Sequence, residues 1–398
     1  MSVSEQDLFP LATVTRENLA RLCSALWGWS PCRHWVVGEQ CPQAPSCSCQ
    51  RAIKLEPFFD YYRNVTAYYL PDSVGHSYPA LKSHDNLIDI ITLLKDNVNR
   101  HRSELTAEYF APQVKQVDHQ PPSSDQNRAF NLAARIISMV QASAENLSDG
   151  LLEAGIQPAI WHSDRSFINF IDLVFRKKEH PALNSGGDVA ALTTNKLALI
   201  AAKRLKKVAR LKIIPTNDLS NHLLLDEKHG TVAIFHYTSV LKEHLRAGAT
   251  DADKESQGSR WNIPPQLALE TLATLKEVLF PDDSMSLSIL RTLIVKYKLD
   301  PDIISVIDLP LYRSAVKRQI DYQYWGSRLM DLYDELENPT PRGFFEKWLE
   351  RRSGARYVMM ATLTGVVIAI ILGMFGLAVS IFQAWVGWQQ WKHPITSG

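Results

Sequence analysis

A chain of 398 residues with 45% hydrophobic and 21% charged side chains can bury substantial cores, so its composition excludes general disorder. Its formal net charge of +1 conceals clusters of Lys and Arg near residues 196–212 and just before an apolar C-terminal stretch. The first residues contain acids and no uninterrupted apolar run, so we expect no secretory signal peptide.

Residues 1–84 form the first predicted region, which is rich in Cys and Pro and largely irregular. The stretch from Glu17 to Trp27 is compatible with a helix. Elsewhere the short apolar runs are interrupted by Pro31, Pro42, Pro45, Pro57, Pro71 and Pro79.

All five cysteines lie in this region, at positions 23, 32, 41, 47 and 49. An odd count without a signal peptide argues against a secreted disulfide framework and favours reduced thiols in the cytosol. Thiolate and imidazole are preferred donors to zinc, which makes zinc a candidate cofactor. The candidate ligands are Cys32, His34, Cys41, Cys47 and Cys49. Because the spacing lacks the paired intervals of common zinc fingers, unligated thiols in a loop are the alternative.

Residues 85–245 form the second predicted region, which is helical. Leu87 to Val98 gives a strong helical face, with Ser83 available as its N-cap. A second helix carrying Phe130 follows a Pro-rich linker, and a third follows Ser163 and Asp164. Five histidines are predicted to be ordinary surface or capping residues: His84, His101, His162, His222 and His236.

A basic helix is predicted from Thr193 to Ile213, because Lys and Arg recur between Lys196 and Lys212 with no acid among them. One interpretation is a solvated helix face, and the other is a surface for anionic lipid or for partner enzymes. Nucleic acid is not expected as a partner, since no aromatic platform accompanies the charge. His222–Leu225 and Val232–Tyr237 then predict a β-hairpin.

Residues 246–342 form the third predicted region, a helical juxtamembrane domain. It is expected to begin with a polar loop from Arg246 to Trp261. Three helices follow, at Pro264–Phe280, Ser284–Lys298 and Leu311–Glu337. Prolines at 339 and 341 would end the last of them.

Residues 343–391 are predicted to contain the juxtamembrane segment and one transmembrane helix, with residues 392–398 as a short tail. No charged side chain occurs from Tyr357 to Trp391. A helix rises 1.5 Å per residue, so about 20 apolar residues cross a hydrocarbon core of about 30 Å. This stretch is long enough for one span and too short for two.

The charges beside the span predict its orientation. Lys347, Arg351, Arg352 and Arg356 precede it, whereas Lys392 follows it. Because positive residues stay on the cytosolic side, the large N-terminal body is expected in the cytosol. This is the layout of a tail-anchored protein in an endomembrane such as the endoplasmic reticulum.

Small residues recur every four positions within the span, at Ala361, Gly365, Ala369 and Gly373. Such a stripe lets two helix backbones approach closely and predicts self-association through the membrane helix. The alternative is that Gly and Ala are simply common in membrane helices.

Motifs for familiar catalysis are missing from the sequence. It contains no phosphate-binding loop, dinucleotide glycine pattern, nucleophile elbow or paired-His zinc motif. This lowers the expectation of an enzyme without removing it.

The chain contains several distinctive strings, which are Arg128–Ala133, Trp161–Asp164 with Phe170 and Ile171, Asn221–Leu223, Ile234–His236, and Leu241 with Lys242. Together with the final helices and the single span, these strings resemble a group of uncharacterised filamentous-fungal single-span membrane proteins. Such proteins are often encoded beside secondary-metabolite genes. The resemblance implies a biosynthetic setting and supplies no catalytic residues.

The predicted fold is therefore mainly α, with a helical soluble body, a small β-hairpin and one C-terminal transmembrane helix. The leading function is a tail-anchored accessory membrane protein without catalysis, supporting a fungal secondary-metabolite pathway. One alternative is a membrane-bound enzyme of unfamiliar type that acts on a lipophilic intermediate. Another is a divergent CorA-type ion channel, because Gly373–Phe375 faintly resembles that family's Gly-Met-Asn motif.

Overall fold

The structure is a computed structural model that describes residues 9–42, 47–71, 79–111, 120–144, 158–178, 196–251, 263–308, 322–340 and 356–392. For residues 249–251, 305–308 and 356–361 it describes the backbone alone. The fold is mainly helical, with small sheets and one long apolar C-terminal helix, as predicted. The chain forms two compact units, Met1–Pro339 and Thr340–Gly398.

The helices are numbered here in chain order. They are α1 (Arg16–Trp27), α2 (Arg33–Val37), α3 (Cys49–Lys54), α4 (Glu56–Ala67), α5 (His84–Asp96), α6 (Arg102–Tyr109), α7 (Ser123–Ser138), α8 (Phe167–Val174), α9 (Ala202–Lys207), α10 (Thr238–Asp251), α11 (Pro265–Ala273), α12 (Ser284–Tyr297), α13 (Gly326–Glu337) and α14 (Arg356–Lys392). A π-helical turn, Thr274–Leu279, extends α11.

The N-terminal region is helical, contrary to the irregular structure that its prolines predicted. The helix expected from Glu17 is confirmed as α1, and a reciprocal pair of hydrogen bonds between Thr15 and Asn18 caps it. The helices α2 to α4 were not predicted. Pro57 lies in the first turn of α4, where a missing N–H costs no helical hydrogen bond, so this proline begins a helix instead of breaking one.

One hydrophobic core runs through the first unit. It contains fully buried side chains from all three predicted regions, among them Leu19, Phe58, Ile91, Phe130, Leu241, Leu272 and Leu329. Within it α1 and α7 pack against α5, and α11 packs against α10. The boundaries predicted at residues 84/85 and 245/246 do not coincide with a break in this core.

The described strands of the first unit form two small sheets. In the first, β1 (Ala142–Ser143) pairs in parallel with β2 (Ala159–Ile160). In the second, β5 (Thr231–Phe235) lies between β3 (Lys212–Thr216), to which it is parallel, and β4 (Leu225–Asp226), to which it is antiparallel. The predicted hairpin is confirmed as β4 and β5, and β3 was not expected.

The prediction of a single basic helix over Thr193–Ile213 is wrong. Residues 193–195 lie outside the described part of the chain, the helix is interrupted at Ile200 and Ala201, and the last residues of the predicted range are not helical. Helix α9 ends at Lys207, Arg210 adopts a φ of 53°, and the chain then enters β3. Ile214 is β-branched and favours a strand, and Pro215 cannot donate a helical hydrogen bond. Because β3 is an edge strand, the missing N–H of Pro215 is tolerated there.

The prediction that a loop begins at Arg246 is also wrong, because α10 continues to Asp251. Residues 252–261 of that loop lie outside the described residues. The next two predicted helices are confirmed as α11 with its π-helical turn and as α12. Of the helix predicted over Leu311–Glu337, residues 326–337 form α13, and residues 311–321 lie outside the described part of the chain.

Candidate metal centre

Four of the five cysteines converge in the folded N-terminal region. Cys32 immediately precedes α2, Cys41 follows its C-terminal turn, Cys47 precedes α3 and Cys49 begins it. Their four Sγ atoms all lie within 4.8 Å of one another. Cys49 is buried, and the other three are half-buried.

The grouped residues differ from the predicted set. His34 belonged to the predicted ligands, but the structure groups the four thiols without it. Cys23 lies apart, buried on α1 within the core, where burial raises the pKa of its thiol well above the usual value. The candidate centre is therefore made of sulfur alone.

The turn after α2 returns the chain so that Cys41 reaches Cys32. Gly38 ends α2 with a φ of 85°, a left-handed conformation that glycine adopts without a steric penalty. A Cβ at Gly38 would lie 3.2 Å from Arg16 Nη1. The same guanidinium donates a hydrogen bond to the Trp35 carbonyl at 3.0 Å, so α1 holds this turn in place.

Backbone N–H groups point at two of the sulfurs. The N–H of Trp35 hydrogen bonds to Cys32, and the N–H of Cys49 hydrogen bonds to Cys47. The Cys49 N–H and the neighbouring Cys41 thiol lower the pKa of Cys47 to about 7, whereas burial raises the pKa of Cys49 to about 12. Such donors stabilise thiolate charge, as hydrogen bonds around metal-bound sulfur do.

The helix that carries Cys49 is fixed to the core through Arg51. Its guanidinium forms an ion pair with the buried carboxylate of Glu243 on α10 and lies 4.1 Å from the ring centroid of Trp29. An ion pair to a buried partner resists displacement, because separating it would leave a buried carboxylate unpaired. The cysteine cluster is thus attached to the body on the α1 side and on the α10 side.

A second group of titratable side chains, which the sequence did not reveal, lies at the start of α10. Asp300 accepts hydrogen bonds from Ser239 N–H and Oγ at 2.9 and 2.6 Å, and burial raises its pKa to about 6. Lys242 Nζ lies 2.7 Å from Asp302 Oδ2. His236 Nδ1 accepts the N–H of Asp300 at 3.2 Å. The donors and acceptors match one another and fix the beginning of α10.

Three histidines predicted as surface or capping residues are buried: His84, His222 and His236. His222 Nδ1 accepts the Phe235 N–H at 3.1 Å, so its Nε2–H donates to Thr274 Oγ1 at 2.7 Å. Burial lowers the pKa of His222 to about 3, which keeps the ring neutral. These are structural histidines of the core.

The predicted basic segment is only partly free for partners. Lys203 forms an ion pair with Asp283 at 3.1 Å, and the Lys196 ammonium lies 5.3 Å from the ring centroid of Tyr333. Lys206, Lys207 and Lys212 are exposed, and we call these three lysines the basic surface.

Helix α14 contains the predicted span. From Thr362 to Lys392 it has 31 residues, none of which is buried, and its most apolar stretch of 18 residues has a mean hydropathy of 2.6, so it is long and apolar enough to cross a membrane. Nothing lies within 4 Å of a Cβ placed on Gly365 or Gly373, and Ala369 is exposed. The side chain of Ala361 lies outside the described part of the chain.

The residues that prompted the ion-channel alternative lie in the interior of α14. Gly373–Phe375 is helical, with α14 continuing on both sides. The Gly-Met-Asn motif belongs in a loop between two spans, so the structure adds nothing to this alternative.

No family model, curated protein or solved structure significantly matches this chain.

Proposed function

We propose that this chain is a single-pass membrane protein of tail-anchored layout, with its helical body in the cytosol at an endomembrane such as the endoplasmic reticulum. There it acts as a non-catalytic accessory protein that binds partner proteins. The observation that carries the proposal is α14, whose apolar side chains from Thr362 to Lys392 are not buried by any described part of the chain. A helix of this hydropathy is stable either in a protein core or in lipid, so its exposed apolar surface favours lipid.

Two features support a cytosolic body. Four basic residues precede the span and one lysine follows it, which is the charge bias of a chain with its N-terminal side in the cytosol. The body also carries five free cysteines, which the reducing cytosol keeps as thiols.

The proposed partners are enzymes of a biosynthetic pathway, and two features support this. The resemblance to fungal membrane proteins encoded beside secondary-metabolite genes supplies the setting. The basic surface supplies a place where acidic groups of a partner protein would be attracted.

Membrane extraction tests the anchoring. The full-length chain should remain in the pellet after alkaline carbonate treatment, and a chain without residues 356–392 should move to the supernatant. As a matched control, a chain with α14 replaced by a Leu/Ala helix of equal length should stay in the pellet. Release of the full-length chain by carbonate would contradict the proposal.

Proximity labelling in cells tests the accessory role. A labelling enzyme fused to the N-terminus should mark the same small set of cytosolic enzymes in repeated experiments. Changing Lys206, Lys207 and Lys212 to Glu should reduce that labelling. Changing Lys54, Lys82 and Lys228 to Glu, three exposed lysines elsewhere, makes the same change of net charge and should not. Equal losses from both variants would show that the basic surface is not a binding site.

A further inference from the structure

We propose that Cys32, Cys41, Cys47 and Cys49 bind one zinc ion as four thiolates, in a closed site that stabilises the fold. Zinc in structural sites is tetrahedral, with Zn–S bonds of about 2.3 Å, which places neighbouring sulfurs about 3.8 Å apart. All four Sγ atoms already lie within 4.8 Å of one another. The four sulfurs are therefore grouped closely enough for one zinc ion to contact all of them after small movements.

The mutual distances favour one metal ion over an iron–sulfur cluster. In a cluster, thiolates on different irons are separated by the metals and the bridging sulfides, so some of the four would lie far apart. Here every sulfur is close to all three others.

The distances also favour a metal ion over two disulfides. A disulfide requires two close sulfurs and places no demand on a second pair. Here four sulfurs share one centre, and all of these cysteines are free in the structure.

A site with four protein thiolates leaves no position for water or substrate, so its role is structural. The ion would join three pieces of chain: the start of α2, the segment after Gly38 and the start of α3. This part of the chain is attached to the body through Trp35, whose ring packs on Phe59, and through Arg51, which pairs with Glu243. Small regions of this kind gain order from metal binding.

Metal analysis of the full-length chain, purified in detergent without chelators, tests the site. We expect about one zinc ion per chain, and far less in Cys41→Ser and Cys47→Ser. Two controls are matched to these variants: His34→Gln removes the nearby imidazole, and Cys23→Ala removes the thiol outside the cluster. Both should keep the zinc. Circular dichroism of each variant would show whether a loss of zinc accompanies a loss of fold.

A second measurement uses the unaltered chain and does not depend on a variant that folds. Titration with a mercurial thiol reagent should release zinc, and the release should end when four thiols per ion have reacted. Cobalt added to the metal-stripped chain should give the intense visible absorption of a tetrahedral thiolate site. Zinc far below one ion per chain, iron in its place, a disulfide among the four cysteines, or loss of zinc in His34→Gln would each overturn the proposal.

Discussion

Three consecutive polar residues of α10, Lys242, Glu243 and His244, are buried, and each is matched by a residue far away in the sequence. Lys242 pairs with Asp302, Glu243 pairs with Arg51, and the His244 ring packs against Trp27 at 5.7 Å between centroids. A buried charge is tolerated only with a partner, so these pairs determine where α10 can lie. No local pattern reveals such pairs, because the partners come from other helices.

Replacing Lys242 by Met should be strongly destabilising. It would leave the Asp302 carboxylate buried without its ammonium, at a cost of about 3–5 kcal/mol. Arg63→Met, which removes an ion pair to the exposed Glu56, should cost at most about 1 kcal/mol. Chemical denaturation measures both. Adding Asp302→Asn to Lys242→Met should restore part of the loss, and equal effects of the two single variants would contradict this interpretation.

Stability should fall in acid partly through His244. Burial, aided by Lys95, lowers the pKa of His244 to about 3, whereas an unfolded histidine titrates near 6.5. Between these values the unfolded chain binds a proton that the folded chain does not. The stabilisation is therefore complete above about pH 6.5 and declines below it, by at most about 1.4 kcal/mol per pH unit.

The variant His244→Phe keeps a ring beside Trp27. It should reduce the slope with which the free energy of unfolding falls as the pH is lowered. Glu270 acts in the opposite sense, since burial raises its pKa to about 7 and it binds a proton in the folded state. The free energy of unfolding is therefore measured by denaturation from pH 4 to 7 for the unaltered chain and for His244→Phe, and the two slopes against pH are compared. Parallel curves would show that His244 does not contribute.

Gly38→Ala should destabilise the turn between Cys32 and Cys41. Alanine at a φ of 85° costs about 1–2 kcal/mol, and its Cβ would also press on Arg16. Gly28 is a matched control, because its φ is 72° and a Cβ there meets nothing within 4 Å. Thermal unfolding should show a loss in both variants, whereas zinc content should fall only in Gly38→Ala. Equal zinc contents in the two variants would show that zinc binding does not depend on the turn at Gly38.

At the scale of elements, amphipathic helices with polar caps could be predicted from sequence. The helices α1, α5 and α12 combine a helical apolar face with a capping side chain, and both signals are local. Elements whose signal depends on tertiary position were missed. Pro57 was interpreted as a breaker although it occupies a first turn, and β3 exists because β5 lies beside it.

The grouping of the cysteines also depends on tertiary structure and could not be predicted from local sequence. Five thiols and an imidazole in one short stretch indicated metal-binding chemistry, but the spacing did not select among them. The selection depends on the left-handed turn at Gly38 and on the direction of α3, which Arg51 fixes against α10. The sequence prediction therefore included the four cysteines that the structure brings together, and it also included His34, which the structure does not group with them.

The stripe of small residues on α14 should mediate self-association. A leucine at Gly373 would hold two helix backbones apart and should weaken a membrane two-hybrid signal strongly. Ala378 offers a matched control. It lies nine positions after Ala369, about 2.5 turns at 3.6 residues per turn, and so on the opposite side of the helix.

Ala378→Leu should therefore leave the signal unchanged. If Gly373→Leu has no effect, the small residues are a matter of membrane-helix composition. If both variants weaken the signal equally, the contact does not use this face.

At the scale of the whole molecule, the proposed anchor and the proposed zinc site require the same compartment. Thiolates remain available for zinc where glutathione keeps cysteines reduced, which is the cytosolic side of an endomembrane. The charge bias beside the span points to that side as well. Two unrelated properties of the chain thus favour one orientation.

The chain contains acceptor sites that report this orientation. Asn64-Val65-Thr66 and Asn146-Leu147-Ser148 are both glycosylation sequons. Asn64 is exposed on α4, and Asn146 lies outside the described residues. Glycans are added only in the lumen, so with a cytosolic body both asparagines should remain unmodified.

Expression in a glycosylating host, followed by endoglycosidase treatment, measures the orientation by gel mobility. The unaltered chain should show no shift. A chain with a glycosylation tag appended after Gly398 should shift, because its tail would reach the lumen, and this proves that the chain meets the glycosylation machinery. A shift of the unaltered chain that disappears in Asn64→Gln with Asn146→Gln would place the body in the lumen. Oxidation of the four clustered cysteines would then be expected, and the proposal of cytosolic partners would fail with the topology.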